Sequence, residues 1–431
     1  MCGIVGIVRA ESGSAHNRAV AMNARIVHRG PDDDGMWSDG RDALAMRRLS
    51  IIDLAGGHQP MIAPSGTVLV FNGEIYNYAE LRQQLADRWS FRTHSDTEVV
   101  LALYELEGIA SLERLAGMFA IALLDRARGR LHLVRDRLGK KPLYYTTHGE
   151  LLFASELKAL LPGLPRRPEL DRQALYDYLT LRYVPAPATP FVGVRKLEPG
   201  QRLELDLATG ERTLHRWWRL SFVSAHDEAP EAPEEFAALF LQAVEQRLVA
   251  ADVPVGVLLS GGLDSSAVAA AAVELGHRDF HTFSVAFADG GRYSELEYAR
   301  AVARRIGSQH HEVTIDREAF LAALPELVVQ TDEPLADLAT IPLHAVARLA
   351  REHVKVVLSG EGADEILGGY DVDALARRLD RLRRLGALPR PLLAAAARLA
   401  PAGRAEALGL VAASGWSGVL RAQGAHMTNV F

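Results

Sequence analysis

Val255-Gly256-Val257-Leu258-Leu259-Ser260-Gly261-Gly262-Leu263-Asp264-Ser265-Ser266 is the stretch whose reading decides the fold. Its first five residues are apolar on both alternating faces, the pattern of a strand buried in a parallel sheet. A glycine and serine turn follows, and residues 267–275 are alanine-rich and free of Gly and Pro, so a helix is expected there. A turn at a helix N-terminus presents free N–H groups and the positive end of the macrodipole, which together favour a phosphate. Gly261 and Gly262 let backbone approach a ligand with no Cβ in the way. Ser260, Ser265 and Ser266 offer hydroxyls, and Asp264 suits a divalent cation bridging phosphates. An ordinary strand-to-helix turn is the alternative. Two glycines alone are compatible with it, whereas a carboxylate and a row of hydroxyls at a strand's carboxyl end favour a ligand site. The absence of Gly-Lys-Ser/Thr excludes a Walker loop.

Downstream, residues 280–287, 310–313 and 354–358 read as strands, and 295–306 and 317–330 as helices. That alternation predicts a doubly wound parallel sheet whose strand ends share one crevice. Ser359-Gly360-Glu361-Gly362-Ala363-Asp364-Glu365, with Gly368-Gly369-Tyr370 beyond, follows the last of these strands, where a dense acidic loop points to magnesium. The glycine turn resembles the pyrophosphate loop of ATP pyrophosphatases, enzymes that cleave ATP to AMP and pyrophosphate.

A chain of 431 residues that is 48% hydrophobic is too long for one ordinary core and long enough for two. With 48 basic against 54 acidic residues, net −6, charge gives no case for nucleic acid or an anionic membrane as partner. Residues 388–400 and other apolar stretches are interrupted and fall short of a membrane span. The first 15 residues lack a signal peptide's pattern, so a cytoplasmic location is expected. One cysteine excludes an internal disulfide and a cysteine metal cluster. It is residue 2.

Residues 3–8 read as a first strand. If Met1 is removed, Cys2 becomes the N-terminus, and its α-amine, with a pKa of about 7.7–8.0, can act as base for its own thiol. A small buried strand cysteine is the plainer reading for a lone Cys. Four downstream segments outweigh it. Arg29-Gly30-Pro31-Asp32, Arg47-Arg48-Leu49-Ser50-Ile51-Ile52, Asn72-Gly73-Glu74-Ile75-Tyr76-Asn77 and Ser95-Asp96-Thr97-Glu98 occur in that order. Singly they read as a turn, a charged strand end, a hairpin turn and a helix cap. Strands are expected at 43–48, 67–71, 119–124, 131–134 and 151–154, and helices near 17–27, 79–86 and 97–107.

Together with Cys2, Arg135-Asp136-Arg137-Leu138-Gly139, Lys141-Pro142-Leu143-Tyr144-Tyr145 and Ala154-Ser155-Glu156, that set resembles the glutamine amidotransferases of the N-terminal-nucleophile class. The resemblance implies an αββα sandwich and amide hydrolysis through a thioester on Cys2. Arg48 would pair with the glutamine carboxylate, Asp96 with its amine, and Ile52 and Glu74 would lie beside them. Asn72 and the Gly73 N–H would form the oxyanion hole. With the second half, the chain resembles glutamine-hydrolysing asparagine synthetases. In that family Leu259, Ser260, Gly261, Gly262, Asp264, Ser265, Val285, Ser359 and Gly360 would contact ATP. Glu361 would assist adenylate formation, and Asp264 and Asp364 would hold Mg2+. Asp332-Glu333-Pro334, Ala336-Asp337 and Ile341-Pro342 would line the acceptor site.

The expected organisation is an amidotransferase domain over 2–160, a connector over 161–234, an ATP-binding synthetase domain over 235–370 and a helical tail over 371–431. The connector motifs Tyr183-Val184-Pro185, Lys196-Leu197-Glu198-Pro199-Gly200 and Trp217-Trp218 are read as turn and packing residues, residues 224–234 as a surface loop and 235–249 as a helix. The motif resemblance ends at Tyr370. The family pattern continues into a segment bearing a lysine that serves adenylation, and no lysine follows Tyr370 here. Arginine does not replace it as a proton carrier. A truncated synthetase half is therefore expected, with exposed apolar helix faces that favour association, in the simplest case a homodimer. Three functions are compatible with these residues: asparagine synthesis from aspartate, the same chemistry on another carboxylate (a peptide, sugar acid or biosynthetic intermediate), or a glutaminase or nucleotide-binding regulator with an inactive second half.

Overall fold

The computed structural model describes residues 2–10, 13–221, 232–278, 280–290, 294–337, 339–370 and 398. The tail expected over 371–431 falls outside them apart from residue 398. Residues 1–359 pack as one unit and 360–431 as another, and each is described by itself.

The amino-terminal part is two six-stranded antiparallel sheets. From edge to edge one runs Val194–Lys196, Tyr144–Thr146, Leu151–Ala154, Gly3–Val8, Ala43–Arg48 and Asp33–Ser38. The other runs Arg212–Arg216, Gln201–Asp206, Arg130–Arg135, Gly117–Asp125, Val68–Ile75 and Met61–Ile62. Strand alternation explains the layering. Ile4 and Val8 face Val68, Val70, Ala122 and Leu133 between the sheets, while Val5 and Ile7 face the helix Ala15–Asn23 on the outside. Phe71, Phe119 and Ile121 turn outward beneath the helices Tyr78–Leu85 and Asp96–Glu107. The result is helix, sheet, sheet, helix. Gly6 is required for this packing, because a Cβ there would stand 2.3 Å from the Phe153 ring buried between the sheets.

Two expectations are corrected here. Asn72-Gly73 is no hairpin turn, since it lies inside the strand Val68–Ile75, paired residue for residue with Gly117–Asp125. The stretch assigned to a connector contributes three strands to these sheets, and Leu203 and Leu205 are buried between them. Trp217 stacks on Phe119 at 6.1 Å, in keeping with its reading as a packing residue. Residues 232–234, read as loop, already belong to the helix Ala232–Val249.

The second part is a four-stranded parallel sheet in the order Gln309–Ile315, His281–Phe287, Val255–Leu258, Val356–Leu358. Helices Ala232–Val249, Leu263–Glu274 and Leu296–Ile306 pack on one face through Val244, Leu248, Val268, Ala272 and Ala299. Helix Thr340–Arg351 packs on the other through Val346 and Ala350 against Phe283. This is the doubly wound arrangement. The helix Thr340–Arg351 was not foreseen; Pro342 sits in its first turn, where a helix tolerates proline.

Candidate active site

Cys2 enters the first strand at the mouth of a cavity of about 320 Å³, lined among others by Arg48, Ile52, Asn72, Gly73, Glu74 and Asp96. The thiol approaches Leu49 twice, accepting its N–H at 3.4 Å and donating to its carbonyl at 3.6 Å. The Cys2 carbonyl accepts Arg29 Nε at 2.8 Å. Asn72 is fully buried, yet neither polar atom of its side chain has a partner among the described residues. A buried amide without partners is costly unless something else supplies them. Gly73 beside it admits no side chain, since a Cβ would lie 2.1 Å from the Met118 carbonyl.

The charged groups of the cavity are equally enclosed. Arg48 is 4% exposed, donates to the carbonyls of Ile52, Asp53 and Leu54 at 2.9, 2.7 and 3.3 Å, and pairs with no carboxylate among the described residues. Asp96 accepts the Ile75 N–H at 3.0 Å and the Ser95 hydroxyl at 3.4 Å. Burial pushes its carboxyl up to about 7, against those hydrogen bonds. Burial raises Glu74 and lowers Lys141, each opposed by the other's charge. The Cys2 thiol is also raised by burial, so it needs a local base to ionise at neutral pH. Lys141 and Gln59 line the cavity and were not among the expected site residues. Lys141 is held there by Asp136, whose carboxylate accepts the N–H groups of Leu138, Lys140 and Lys141 at 3.1, 3.0 and 3.0 Å.

The cavity's far wall comes from the parallel sheet: Lys355, Val356 and Val357 line it together with Cys2. Lys355 Nζ donates to Asp32 at 2.7 Å, and Asp53 N–H donates to Asp252 at 2.7 Å. A second contact runs from the nucleophile outward. Arg29 bridges the Cys2 carbonyl and Glu156 (2.9 Å), Glu156 pairs with Lys158 (2.8 Å), and Asp332 accepts the N–H groups of Leu157 and Lys158. Burial alone would raise Glu156, but His28, Lys158 and Arg29 hold it at about 2. Glu333 pairs with Lys196 at 2.6 Å. Asp332 and Glu333, expected at the acceptor site, contact the sandwich through Leu157, Lys158 and Lys196.

At the glycine turn, Leu259 N–H still donates to Phe283 across the sheet at 2.8 Å, and the chain then leaves the strand. Ser260 and Ser265 hydroxyls lie 3.0 Å apart, and Ser260 Oγ accepts Gly262 N–H at 3.1 Å. Gly261 has φ 88°, and a Cβ on it would stand 2.5 Å from the Ala299 nitrogen. Gly262 caps the helix Leu263–Glu274 with no side-chain hydrogen bond, and Asp264 is in its first turn. Ser266 Oγ is buried there without a partner among the described residues. Val285 lies within the strand His281–Phe287 and Ser359 follows Val356–Leu358, the two strands that flank Val255–Leu258. Gly360, Glu361 and Asp364 belong to the second unit, where Gly362 (φ 98°) precedes the short helix Ala363–Leu367 and Tyr370 donates to Glu365 at 2.6 Å.

Comparison with known proteins agrees with both halves. A glutamine amidotransferase domain family matches residues 1–218, and an asparagine synthase family matches 235–427, beyond Tyr370. Putative asparagine synthetase [glutamine-hydrolyzing] 2 of Methanocaldococcus jannaschii is 35% identical over 89% of this chain and 78% of its own. The chain belongs to the glutamine-hydrolysing asparagine synthetase family. Asparagine synthetase [glutamine-hydrolyzing] 1 of Bacillus subtilis is 40% identical over 86% of this chain, and a putative member from Mycobacterium tuberculosis 41% over 91%. The chain spans only 59% and 63% of those two relatives' lengths. Family membership accounts for the αββα sandwich joined to a parallel sheet. No helix among the described residues is long and apolar enough to cross a membrane.

Proposed function

We propose that the chain hydrolyses glutamine at Cys2 and passes the ammonia to a carboxylate activated as an acyl-adenylate with Mg-ATP, aspartate being the acceptor and asparagine the product. The single observation that carries this is the cavity that Cys2 shares with Lys355, Val356 and Val357, in a strand leading to Ser359.

With Met1 removed, the Cys2 amine takes the thiol proton and the sulfur attacks the glutamine carboxamide carbon. Asn72 Nδ2 and the Gly73 N–H hold the oxygen as it becomes negative, which explains an amide kept buried without a partner. Arg48 takes the substrate carboxylate in the absence of a carboxylate of its own, and ionised Asp96 takes the ammonium. The amine returns the proton to the departing nitrogen, and water then cleaves the thioester to give glutamate. An enclosed route keeps ammonia from being lost as ammonium.

Residues 235–370 are assigned to ATP. Gly261, Gly262 and the N-terminus of the helix Leu263–Glu274 suit the phosphates, as does the Ser266 hydroxyl, which has no partner among the described residues. Ser260 and Ser265 flank them. Leu259, Val285, Ser359 and Gly360 are assigned to the nucleotide, Glu361 to adenylate formation and Asp264 to magnesium, with Asp364 assigned the same role by resemblance. Bound magnesium supplies charge neutralisation at the phosphates. The test is pyrophosphate release from ATP, Mg2+ and glutamine across a panel of acceptor acids. Aspartate-dependent release supports the proposal. Release with another acid only reassigns the acceptor, and glutamate formation with no release under any acid leaves a glutaminase.

A further inference from the structure

We propose that His281, His311 and His353 form a binding site for a divalent transition-metal ion of the zinc type, separate from glutamine and ATP. One ring nitrogen from each lies within 4.8 Å of those of the other two. His281 is the first residue of the strand His281–Phe287, and His353 precedes the strand Val356–Leu358. The trio therefore gathers toward the amino-terminal edge of the parallel sheet, opposite the edge that carries the glycine turn. Register puts His311 beside Phe283, so strand alternation places His281, Phe283 and His311 on one face.

Their partners set these histidines apart from the neighbouring one. His310, next in the chain, is engaged by Thr282 at 2.9 Å and Glu312 at 3.2 Å on the other face. Among the described residues the trio have no carboxylate or hydroxyl partner. They have each other: His281 Nδ1 lies 2.9 Å from His311 Nε2, and the His311 and His353 rings stack at 3.9 Å.

Three imidazoles without oxygen ligands exclude magnesium and calcium and suit zinc, cobalt, nickel or copper. Zinc takes nitrogen at about 2.0–2.1 Å, so tetrahedral ligands stand about 3.4 Å apart. Ring rotations would bring the trio to that spacing, with the ion replacing the hydrogen bond between His281 and His311. Exposed His353 provides entry and leaves a fourth position for water, while Phe283, 5.3 Å from the His311 ring, backs the site. The ion would tie two of the strands to the turn that leads into the strand lining the Cys2 cavity.

The test uses the full chain, stripped with chelator and titrated with zinc chloride alone by calorimetry, then with cobalt(II) by visible absorption. One ion per chain, a four-coordinate cobalt spectrum and a zinc-dependent rise in melting temperature are expected. His353→Ala, at an exposed position, and His311→Gln should each weaken binding at least tenfold. His310→Gln should leave it unchanged, and glutamine hydrolysis by His353→Ala at the parent rate would verify its fold. Absence of saturable binding, or equal affinity in the parent, His353→Ala and His311→Gln, would overturn the site.

Discussion

The Cys2 cavity and the glycine turn, the two ligand sites of the proposed function, are built in opposite ways. Around Cys2, the buried Asn72 side chain has no partner among the described residues, and Arg48 has carbonyls but no carboxylate among them. Two sheets enforce that arrangement, so its cost is met by the packing of residues such as Phe71 and Phe119. At the turn, Ser260 is exposed and bonded to Ser265 and Gly262, and conformational choice at Gly261 takes the place of enclosure. The first region is pre-organised before substrate arrives. The second offers backbone donors at the open carboxyl end of a strand.

The sharpest break between the two is Cys2→Ala. Glutamine hydrolysis should fall on the order of 10⁴-fold or more, as for other covalent nucleophiles, while ammonia-supported pyrophosphate release stays at the parent rate. Asn72→Ala should lower kcat for glutamine by about 10²–10³ with little change in KM, because the amide acts on charge that develops during reaction. A proportional rise in KM with constant kcat would make Asn72 a binding residue only.

Protonation sharpens the contrast at a smaller scale. Asp96, pushed to about 7 by burial, must ionise to receive an ammonium, so KM for glutamine should fall by up to about tenfold per pH unit as pH rises toward 7 and then level. Asp96→Asn should abolish this dependence along with tight binding. The stability effect has the opposite sense. An unfolded aspartate loses its proton near 3.8, whereas the native one keeps it to about 7, so the native state binds more protons between those values. Stability from this group is present below that window and declines as pH rises through it. Asp96→Asn should therefore raise the melting temperature at pH 8 more than at pH 5.

Gly261→Ala strikes the other region. The positive φ and the Ala299 backbone make it cost about 1–3 kcal/mol, seen as a lower melting temperature and weaker ATP binding, with kcat for glutamine unchanged. Lys355→Ala should have the smallest effect, below about 1 kcal/mol, because its pair with Asp32 is 41% and 28% exposed.

Much of the architecture was legible because strand and helix periods are local. The parallel sheet followed from alternation, and the Cys2 constellation from an ordered set of uncommon residue types. What escaped was set by distance along the chain. Lys355 reaches Asp32 across 323 positions, and Asp332 caps Leu157 across 175. Lys141 stood inside a recognised motif, but its place beside Glu74 depends on how Asp136 folds the following loop. The three strands between residues 194 and 216 were obscured by the glycines and prolines around them.

The proposed chemistry depends on a free amine on Cys2, and one comparison tests it directly. Glutamate formation would be measured for a chain shown by intact mass to begin at Cys2 and for the same chain with one uncleavable residue in front of it. Hydrolysis by the first and loss of at least two orders of magnitude in the second is the expected result, with both melting at the same temperature. Equal rates would contradict the assignment of Cys2 as its own base.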